Sequence, residues 1–399
     1  MRRAGLRGEF WPTERAELLL RAALTPGDEG VRAWRELGPR FEIDGLPSEP
    51  MRLLPLVWRN LVRAGVDDPL LPRMKGMYRQ TWFHNQLLLR ETLPAVRELE
   101  GAGIQAIVLK GAALIAQRHY EMGSRAIADL DLLVRSAEAP MALDVLLAGA
   151  WRFRPPGGLV DPEWFERVRV SMVNADGWDL DMHWRLLEKY TCPAGAPDEE
   201  PIWRQAVPIR FGDLDTHALG PTDQLLHVIV HGARWGSDAT LRWIADATTL
   251  LSGDGEHIDW ELLVERAAGA RRTLLLRDAL TYLETAGFAS IPRRVLDLLA
   301  GASASARDRM AVRLGGWSGG HVLGEFPRTL EHYLELSRSW SARATIIRFP
   351  RFLQRGWELD SVWQVPRFAL RKLTDRVGTA TRPPPLTSAV DGPEDLGSP

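Results

Sequence analysis

Ala126-Ile-Ala-Asp-Leu-Asp-Leu-Leu-Val134 is an apolar stretch interrupted by two acids, and it decides the fold of this chain. An apolar run of this length is typical of a buried β-strand. Side chains alternate between the two faces of a strand, so we expect Asp129 and Asp131 to point the same way. Neighbouring carboxylates in an apolar segment repel each other unless a cation neutralises them. One or two Mg²⁺ ions that carry a phosphate-bearing substrate are the usual solution, and a strand end with solvated acids is the alternative.

The segment just upstream has the pattern of a phosphate-binding turn. Residues 103–109 indicate a strand, Lys110 and Gly111 follow at once, and residues 112–120 indicate a helix. A glycine between strand and helix lets backbone N–H groups approach a phosphate, and the helix N-terminus adds partial positive charge. Lys110 would supply a point charge to the same phosphate. The alternative interpretation is a plain connector between a strand and a helix.

A third acid comes from the stretch Asp176-Gly-Trp-Asp-Leu-Asp-Met-His-Trp184, whose residues alternate in polarity. The alternation predicts a strand with Asp179, Asp181 and His183 on one face. The opposite face carries apolar residues that we expect in the core, namely Trp178, Leu180, Met182 and Trp184. If this strand neighbours the first, it delivers one carboxylate, which we expect to be that of Asp181, and completes a three-acid metal site. An edge strand with a solvated face is the alternative interpretation.

Further along the chain, a predicted helix carries two histidines. The helix begins at Pro221, and His227 and His231 are four residues apart, which places them on one face. A zinc pair is one interpretation, but no glutamate follows His227 in the pattern of a zinc peptidase. We therefore expect these histidines to bond to the acid-bearing strand or to contact a substrate phosphate, and a role in the packed core stays open. In the next predicted helix, Asp246 is expected to pair with Arg242 or with a histidine.

Composition defines the broad class of protein. The chain has 399 residues, of which 45% are hydrophobic and 26% charged, as is ordinary for globular proteins. Its formal net charge of −2 gives no general attraction to nucleic acid or to anionic membranes, so we do not expect a nucleic-acid partner. The single cysteine, Cys192, excludes an internal disulfide and a cysteine-rich zinc module. Neither a targeting segment nor an apolar run of membrane-spanning length is visible, which makes the cytoplasm the expected location.

The pattern along the chain predicts five regions. They are N-terminal helices at 1–100, an α/β core at 101–217, a helical domain at 218–326, a basic and aromatic helical region at 327–377, and a disordered tail at 378–399. The fourth region interleaves arginine with tryptophan, a composition that suits nucleic acid or a membrane surface. The alternative for this region is a helix that packs its aromatic residues and solvates its arginines.

The acidic, basic and histidine motifs together resemble the nucleotidyltransferase superfamily that includes DNA polymerase beta and the aminoglycoside-modifying nucleotidyltransferases. They are more closely similar to its uncharacterised bacterial branch. The motifs that carry the resemblance are Leu109-Lys110-Gly111, Arg125, Asp129-Leu-Asp-Leu-Leu-Val134, Asp181-Met-His-Trp184, and the block from His227 and His231 through Leu241-Arg-Trp243 to Asp246. The resemblance extends over roughly residues 50 to 340.

This resemblance implies an α+β fold, in which a small mixed sheet of the polymerase-beta type is flanked by N- and C-terminal helical regions. It implies an enzyme that moves a nucleoside monophosphate from a nucleoside triphosphate, such as ATP, to an acceptor hydroxyl or similar group on a small molecule, peptide or protein, with release of pyrophosphate. The implied catalytic and metal-binding residues, for Mg²⁺ or Mn²⁺, are Asp129, Asp131 and Asp181. The implied residues for nucleotide and substrate binding are Lys110, Gly111, Arg125, His183, His227 and His231.

Two other classes of function remain open. One is a catalytically weak nucleotide-binding or scaffold protein of a biosynthetic pathway, although a scaffold has no reason to hold three costly carboxylates together. The other is a histidine-based metal hydrolase, for which His227 and His231 lack an evident third ligand and base. The metal requirement separates these classes. Mg²⁺ or Mn²⁺ should support transfer and Zn²⁺ should support hydrolysis, while a scaffold should show no metal-dependent turnover.

Overall fold

The structure is a computed structural model, and the residues that it describes are 11–38, 41, 43–153, 169–187, 199–233, 241–270, 272–302, 330, 333, 341–356 and 359–370. The chain divides into two compact units, Met1–Gly319 and Gly320–Pro399. The first unit contains a seven-stranded mixed sheet with helices before and after it, so the predicted α+β class is confirmed. Cys192 and the predicted tail lie outside the described residues, and the predicted division into five regions stays a prediction.

Helices form the N-terminal part of the first unit, as predicted. They are α1 Glu14–Leu24, α2 Asp28–Leu37, α3 Ser48–Met51, α4 Leu54–Arg63 and α5 Leu71–Gly101. Helix α1 begins after Thr13, whose hydroxyl accepts a hydrogen bond from the backbone N–H of Ala16 and so satisfies a free donor of the first turn. Its apolar face, with Leu19 and Leu20, is buried in the core of this unit.

The sheet carries the residues of interest on its central strands. Its strands are β1 Ile107–Val108, β2 Leu130–Leu133, β3 Arg152–Phe153, β4 Arg169–Val173, β5 Asp179–His183, β6 Val207–Phe211 and β7 Leu214–Ala218. Their order is β3-β4-β5-β2-β1-β7-β6. The pairs β2–β5 and β1–β7 are parallel and the other neighbours are antiparallel. Strand β5 lies between β4 and β2, so the interpretation of this strand as a solvated edge is wrong.

The strand that carries the first acids is shorter than the sequence pattern indicates. Strand β2 begins at Leu130, so Asp131 lies within it and Asp129 lies just before it. The pattern fails at residues 126–129 because the backbone N–H of Ile127 donates to the Oδ1 of Asn85 on α5 rather than to a neighbouring strand. In the same way, only Ile107–Val108 of the predicted strand 103–109 pairs in the sheet.

Of the remaining helices described in the first unit, three lie between strands of the sheet and five follow its last strand. They are α6 Lys110–Ala116, α7 Ala139–Ala148, α8 Glu200–Arg204, α9 Pro221–Gly232, α10 Arg242–Asp254, α11 Trp260–Gly269, α12 Thr273–Thr285 and α13 Arg293–Gly301. Helix α9 begins at Pro221, as predicted, and packs against α10, α11 and α12. A Cβ atom at Gly232 would lie 2.4 Å from the Cβ of Trp243, so only glycine allows α9 and α10 to approach this closely.

The second unit contains helix α14, Ala342–Gly356, and a short 3₁₀ turn, Val362–Gln364. The ring of Tyr333 packs against Phe349 and Phe352 at centroid distances of 4.7 and 4.9 Å. Trp363 is 87% exposed, so the aromatic residues of this region are only partly packed. None of the helices in the described part of the chain combines the length and apolar character needed to cross a membrane.

Candidate functional site

Two carboxylates meet at the centre of the sheet. Strands β2 and β5 are parallel, and their register pairs Asp131 with Asp181. Both side chains are buried. The Nζ of Lys110 donates to the Oδ1 of Asp131 at 2.5 Å, and the Nε2 of His183 lies 3.1 Å from the same oxygen. The structure therefore brings together one acid from each of the two acidic motifs, with a lysine and a histidine on the first of them.

The charge of Asp131 is stabilised by its neighbours. Burial raises the pKa of this carboxyl, but the positive charge of Lys110 and the hydrogen bond from His183 outweigh it and hold the pKa well below its usual range. Burial lowers the pKa of His183 more than the nearby Asp131 raises it. At neutral pH the cluster therefore consists of a carboxylate, an ammonium group and a neutral imidazole.

The second acid has a basic partner that the sequence interpretation missed. The Nη1 of Arg169, on β4, forms an ion pair with the Oδ2 of Asp181. Arg169 is 48% exposed, whereas the side chain of Asp181 is 9% exposed. The register of β4 against β5 places Arg169 opposite His183, on the same face as Asp181. The alternating polarity of residues 169–173 predicts a strand, but it does not reveal which strand lies next to it in the sheet.

Asp129 differs from Asp131 in its electrostatic environment. Burial and the charge of Asp131 raise the pKa of Asp129 to about 6, and Lys110 opposes this rise only in part. Asp181 also raises this pKa, so Asp129 lies within electrostatic range of both other acids. Asp179, the alternative third acid, pairs with Val173 of β4, and the register of β5 with β2 begins at the next residue, where Leu180 lies opposite Leu130.

Two more histidines lie within electrostatic range of this cluster. The rings of His227 and His231 on α9 are 5.6 Å apart. Burial, Lys110 and His183 lower the pKa of His227 to about 3. His231 is exposed to solvent, yet desolvation by the surrounding protein and the charge of Lys110 hold its pKa well below the usual range. Both imidazoles are therefore held in the neutral form within electrostatic range of the acid cluster.

The residues present fit a divalent metal ion. One ligand atom from each of Asp131, Asp181 and His183 can be chosen so that all three lie within 4.8 Å of one another. Carboxylate oxygens suit Mg²⁺ and Mn²⁺, and a neutral imidazole nitrogen is a common metal ligand. This buried group could therefore bind a metal. It contains two of the three predicted acids, with His183 in addition, and Asp129 lies beside it.

The turn between β1 and α6 positions Lys110. The backbone N–H of Leu109 donates to the carbonyl oxygen of Asp131 at 2.9 Å, which ties the turn to the acid-bearing strand. Lys110 itself has a φ of 52°, in the left-handed region that non-glycine residues rarely adopt. Such strain persists only where the surroundings enforce it, and it is common at functional sites.

Arg125, a predicted nucleotide-binding residue, is held by an acid. Its Nε and Nη2 donate to the Oδ1 and Oδ2 of Asp246, on α10, at 3.0 and 2.8 Å. The predicted pairing of Asp246 with Arg242 or a histidine is wrong, because the fold brings Arg125 to Asp246 from a distant part of the sequence. The Nη2 of Arg242 instead lies 3.4 Å from the Oε1 of Glu49.

The pKa of His227 leads to a prediction about acid stability. An unfolded histidine titrates near pH 6.5. The unfolded chain therefore binds one more proton than the folded chain between about pH 3 and 6.5, and the stability due to neutral His227 is lost as the pH falls through this window. We expect His227→Gln to make the free energy of unfolding less dependent on pH, by up to about 1.4 kcal/mol per pH unit.

Urea unfolding of both proteins at several pH values between about 4.5 and 7.5 measures this slope. His257 is exposed, so His257→Gln serves as a control that should leave the slope of the wild type unchanged. Equal slopes for His227→Gln and the wild type would show that His227 is not buried in its neutral form.

Comparison with known proteins places this site in a family. No curated protein matches the chain. A family model described as "uncharacterised nucleotidyltransferase" matches residues 48–286, which include helix α5, the whole sheet, and helices α9 and α10. The match ends earlier than the resemblance in sequence indicates, at 286 rather than near 340. It covers more than half of the 399 residues, and it contains every residue of the acid cluster. This chain therefore belongs to the family of uncharacterised nucleotidyltransferases and is an enzyme of that class.

Proposed function

We propose that this enzyme transfers a nucleoside monophosphate from a nucleoside triphosphate, such as ATP, to an acceptor hydroxyl or similar group on a small molecule, peptide or protein. The acceptor oxygen forms a bond to the α-phosphorus, the bond from that phosphorus to the β-phosphate oxygen breaks, and pyrophosphate leaves. The observation that carries the proposal is the in-register pair of buried acids, Asp131 and Asp181, in a member of the nucleotidyltransferase family.

Each residue of the cluster has a role in this proposal. Asp129, Asp131 and Asp181, with His183 beside them, would hold Mg²⁺ or Mn²⁺. The metal would supply positive charge to the phosphate groups. A carboxylate oxygen of Asp181 would take the proton from the acceptor hydroxyl.

The remaining residues are assigned to the nucleotide. Lys110 and the backbone of Gly111 would bind the triphosphate, because an ammonium group and free N–H groups at a helix start suit anionic oxygens. His227 and His231 would contact substrate phosphate, since neutral imidazoles can donate hydrogen bonds without repelling Lys110. The charge of Arg125 is already balanced by Asp246.

A catalytically weak nucleotide-binding or scaffold protein is the second candidate, and one observation favours it. Lys110 and Arg169 already neutralise Asp131 and Asp181, so the protein does not need a metal to hold these acids together. A histidine hydrolase is less well supported, because the described group that could bind a metal includes neither His227 nor His231.

An assay of pyrophosphate release distinguishes these candidates. We expect the purified protein, given each of the four labelled nucleoside triphosphates with a cell extract as acceptor, to release pyrophosphate and to transfer the labelled monophosphate. Mg²⁺ or Mn²⁺ should be required, and a chelator should abolish the transfer. Nucleotide binding without any turnover would support the scaffold, and turnover that requires Zn²⁺ would support the hydrolase.

A further inference from the structure

The connecting segment, residues 117–129, leads from helix α6 to the acids and is bound from two sides. On one side, Asn85 of α5 is fully buried, and its Nδ2 donates to the carbonyl oxygens of Met122 and Arg125 at 2.7 and 2.8 Å. Its Oδ1 accepts from the N–H of Ile127 at 3.0 Å. One side chain of α5 thus satisfies three backbone groups of a segment that has no strand partner there.

On the other side, helix α10 binds the same segment through acids. Asp246 binds Arg125 with two hydrogen bonds, and the two side chains are 7% and 11% exposed. About two turns further along α10, the Oδ2 of Asp254 lies 3.2 Å from the Nε2 of His119. These contacts fix the segment between helices α5 and α10. Of the two acid contacts from α10, only the Asp246–Arg125 pair also lies beside the turn that carries Lys110.

The guanidinium group of Arg125 lies directly against that turn. Its Nη1 donates to the carbonyl oxygen of Ala126 at 2.7 Å. A Cβ atom at Gly111 would lie 2.6 Å from this Nη1 and 3.2 Å from the Cζ of Arg125. The guanidinium therefore occupies the space beside Gly111 that any other residue would need, which explains the glycine after Lys110.

We propose that Asp246 is a positioning residue for nucleotide binding, which acts by holding the guanidinium of Arg125 against the Lys110–Gly111 turn. The proposal rests on the proposed function, because it assigns Lys110 to the triphosphate. A bidentate carboxylate fixes the plane of a guanidinium as well as its charge. With this plane fixed, the turn keeps Lys110 in its left-handed conformation beside Asp131. Without it, Lys110 can relax to an ordinary backbone conformation and its ammonium group moves.

The test compares Asp246→Asn with Asp254→Asn in the full-length protein, with nucleotide affinity measured by calorimetry for the triphosphate that the wild type binds best. Both variants remove one acid of α10 that binds the connecting segment, but only Asp246 binds the arginine that lies against the turn. We expect Asp246→Asn to weaken affinity about tenfold, which is the size of one charge-assisted hydrogen bond, and Asp254→Asn to leave it unchanged.

A double-mutant cycle separates positioning from a general loss of structure. If Asp246 acts through Lys110, then adding Asp246→Asn to Lys110→Ala should weaken affinity by less than twofold more. If Asp246→Asn does not fold, Arg125→Lys provides the second variant, because it keeps a positive charge for Asp246 but lacks the planar guanidinium that lies against Gly111. It should cause the same tenfold loss.

The outcomes distinguish this proposal from the function on which it rests. The proposal is overturned if Asp246→Asn binds nucleotide like the wild type, or if the losses of Asp246→Asn and Lys110→Ala add in full. An equal loss in Asp254→Asn would also overturn it, since any damage to the connecting segment would then suffice. A wild-type protein that binds none of the four triphosphates would instead refute the proposed function.

Discussion

Asp129→Asn and Asp131→Asn are each expected to abolish nucleotidyl transfer, yet to change the stability of the protein in opposite directions. Both substitutions keep the size of the side chain and remove a negative charge that would hold the metal. Loss of such a charge should reduce kcat/KM by about 10³-fold or more, which corresponds to roughly 4 kcal/mol. The two acids have opposite electrostatic environments in the folded protein.

The opposite effects on stability follow from the opposite pKa shifts. Burial and Asp131 raise the pKa of Asp129 to about 6, so its charged form is disfavoured in the folded protein above that pH. At about pH 8 a neutral Asn should relieve this penalty and raise the free energy of unfolding, by on the order of 1 kcal/mol after solvent screening. Below about pH 4 Asp129 becomes neutral in the folded and the unfolded protein alike, and the gain should vanish.

Asp131 shows the reverse behaviour. Lys110 and His183 lower its pKa in spite of burial, so its charge stabilises the folded protein at neutral pH. Asp131→Asn leaves Lys110 without its ionic partner, and we expect a loss of about 1.5–3 kcal/mol. Removal of a carboxylate is therefore expected to stabilise the metal-free protein at Asp129 and to destabilise it at Asp131.

Thermal or urea unfolding, combined with the transfer assay, measures both effects. Asp144 is exposed on α7, so Asp144→Asn makes the same chemical change away from the site and should alter neither activity nor stability. Full transfer activity in Asp131→Asn would contradict the metal assignment. Equal stability changes in the two site variants would contradict the electrostatic account of the cluster.

The sequence predicts those parts of the site that depend on local periodicity. Alternation across residues 176–184 predicts strand β5 and places Asp181 and His183 on one face, and the structure has that strand. The repulsion expected between buried acids is also a sound inference, because the structure neutralises Asp131 with Lys110 and Asp181 with Arg169. Local pattern is sufficient here because a strand fixes the direction of each side chain.

The parts that local pattern does not predict depend on contacts between distant segments. Arg169 reaches Asp181 only because β4 pairs with β5, and the Arg125–Asp246 pair joins residues 121 positions apart. Strand β2 does not extend back to Ile127, whose backbone N–H donates to the side chain of Asn85 on a helix instead of to a neighbouring strand. A partner from another element competes with the propensity of the segment itself, and a single sequence does not reveal that partner.

Replacement of Lys110 is expected to weaken nucleotide binding while its effect on stability depends on the new residue. Lys110→Ala removes the ammonium group but keeps a Cβ at a φ of 52°, whereas Lys110→Gly removes both the charge and the backbone strain. Left-handed backbone costs a non-glycine residue roughly 1–2 kcal/mol, so the Gly variant should be more stable than the Ala variant by about 1 kcal/mol. Both should bind the triphosphate about 10- to 100-fold more weakly, because one charge-assisted contact is lost.

Lys110→Arg separates the need for a point charge from the need for any positive charge. A planar guanidinium is larger and directs its donors in a fixed fork, so it should fit poorly in the position from which the Nζ of Lys110 contacts Asp131. We expect it to restore only part of the lost affinity. Lys75, on the exposed surface of α5, provides a control, because Lys75→Ala should bind nucleotide like the wild type. Calorimetric titration with the preferred triphosphate measures all four variants. Unchanged nucleotide affinity in both Lys110→Ala and Lys110→Gly would show that the turn only connects a strand to a helix. The strained backbone at Lys110 would then serve only to neutralise Asp131.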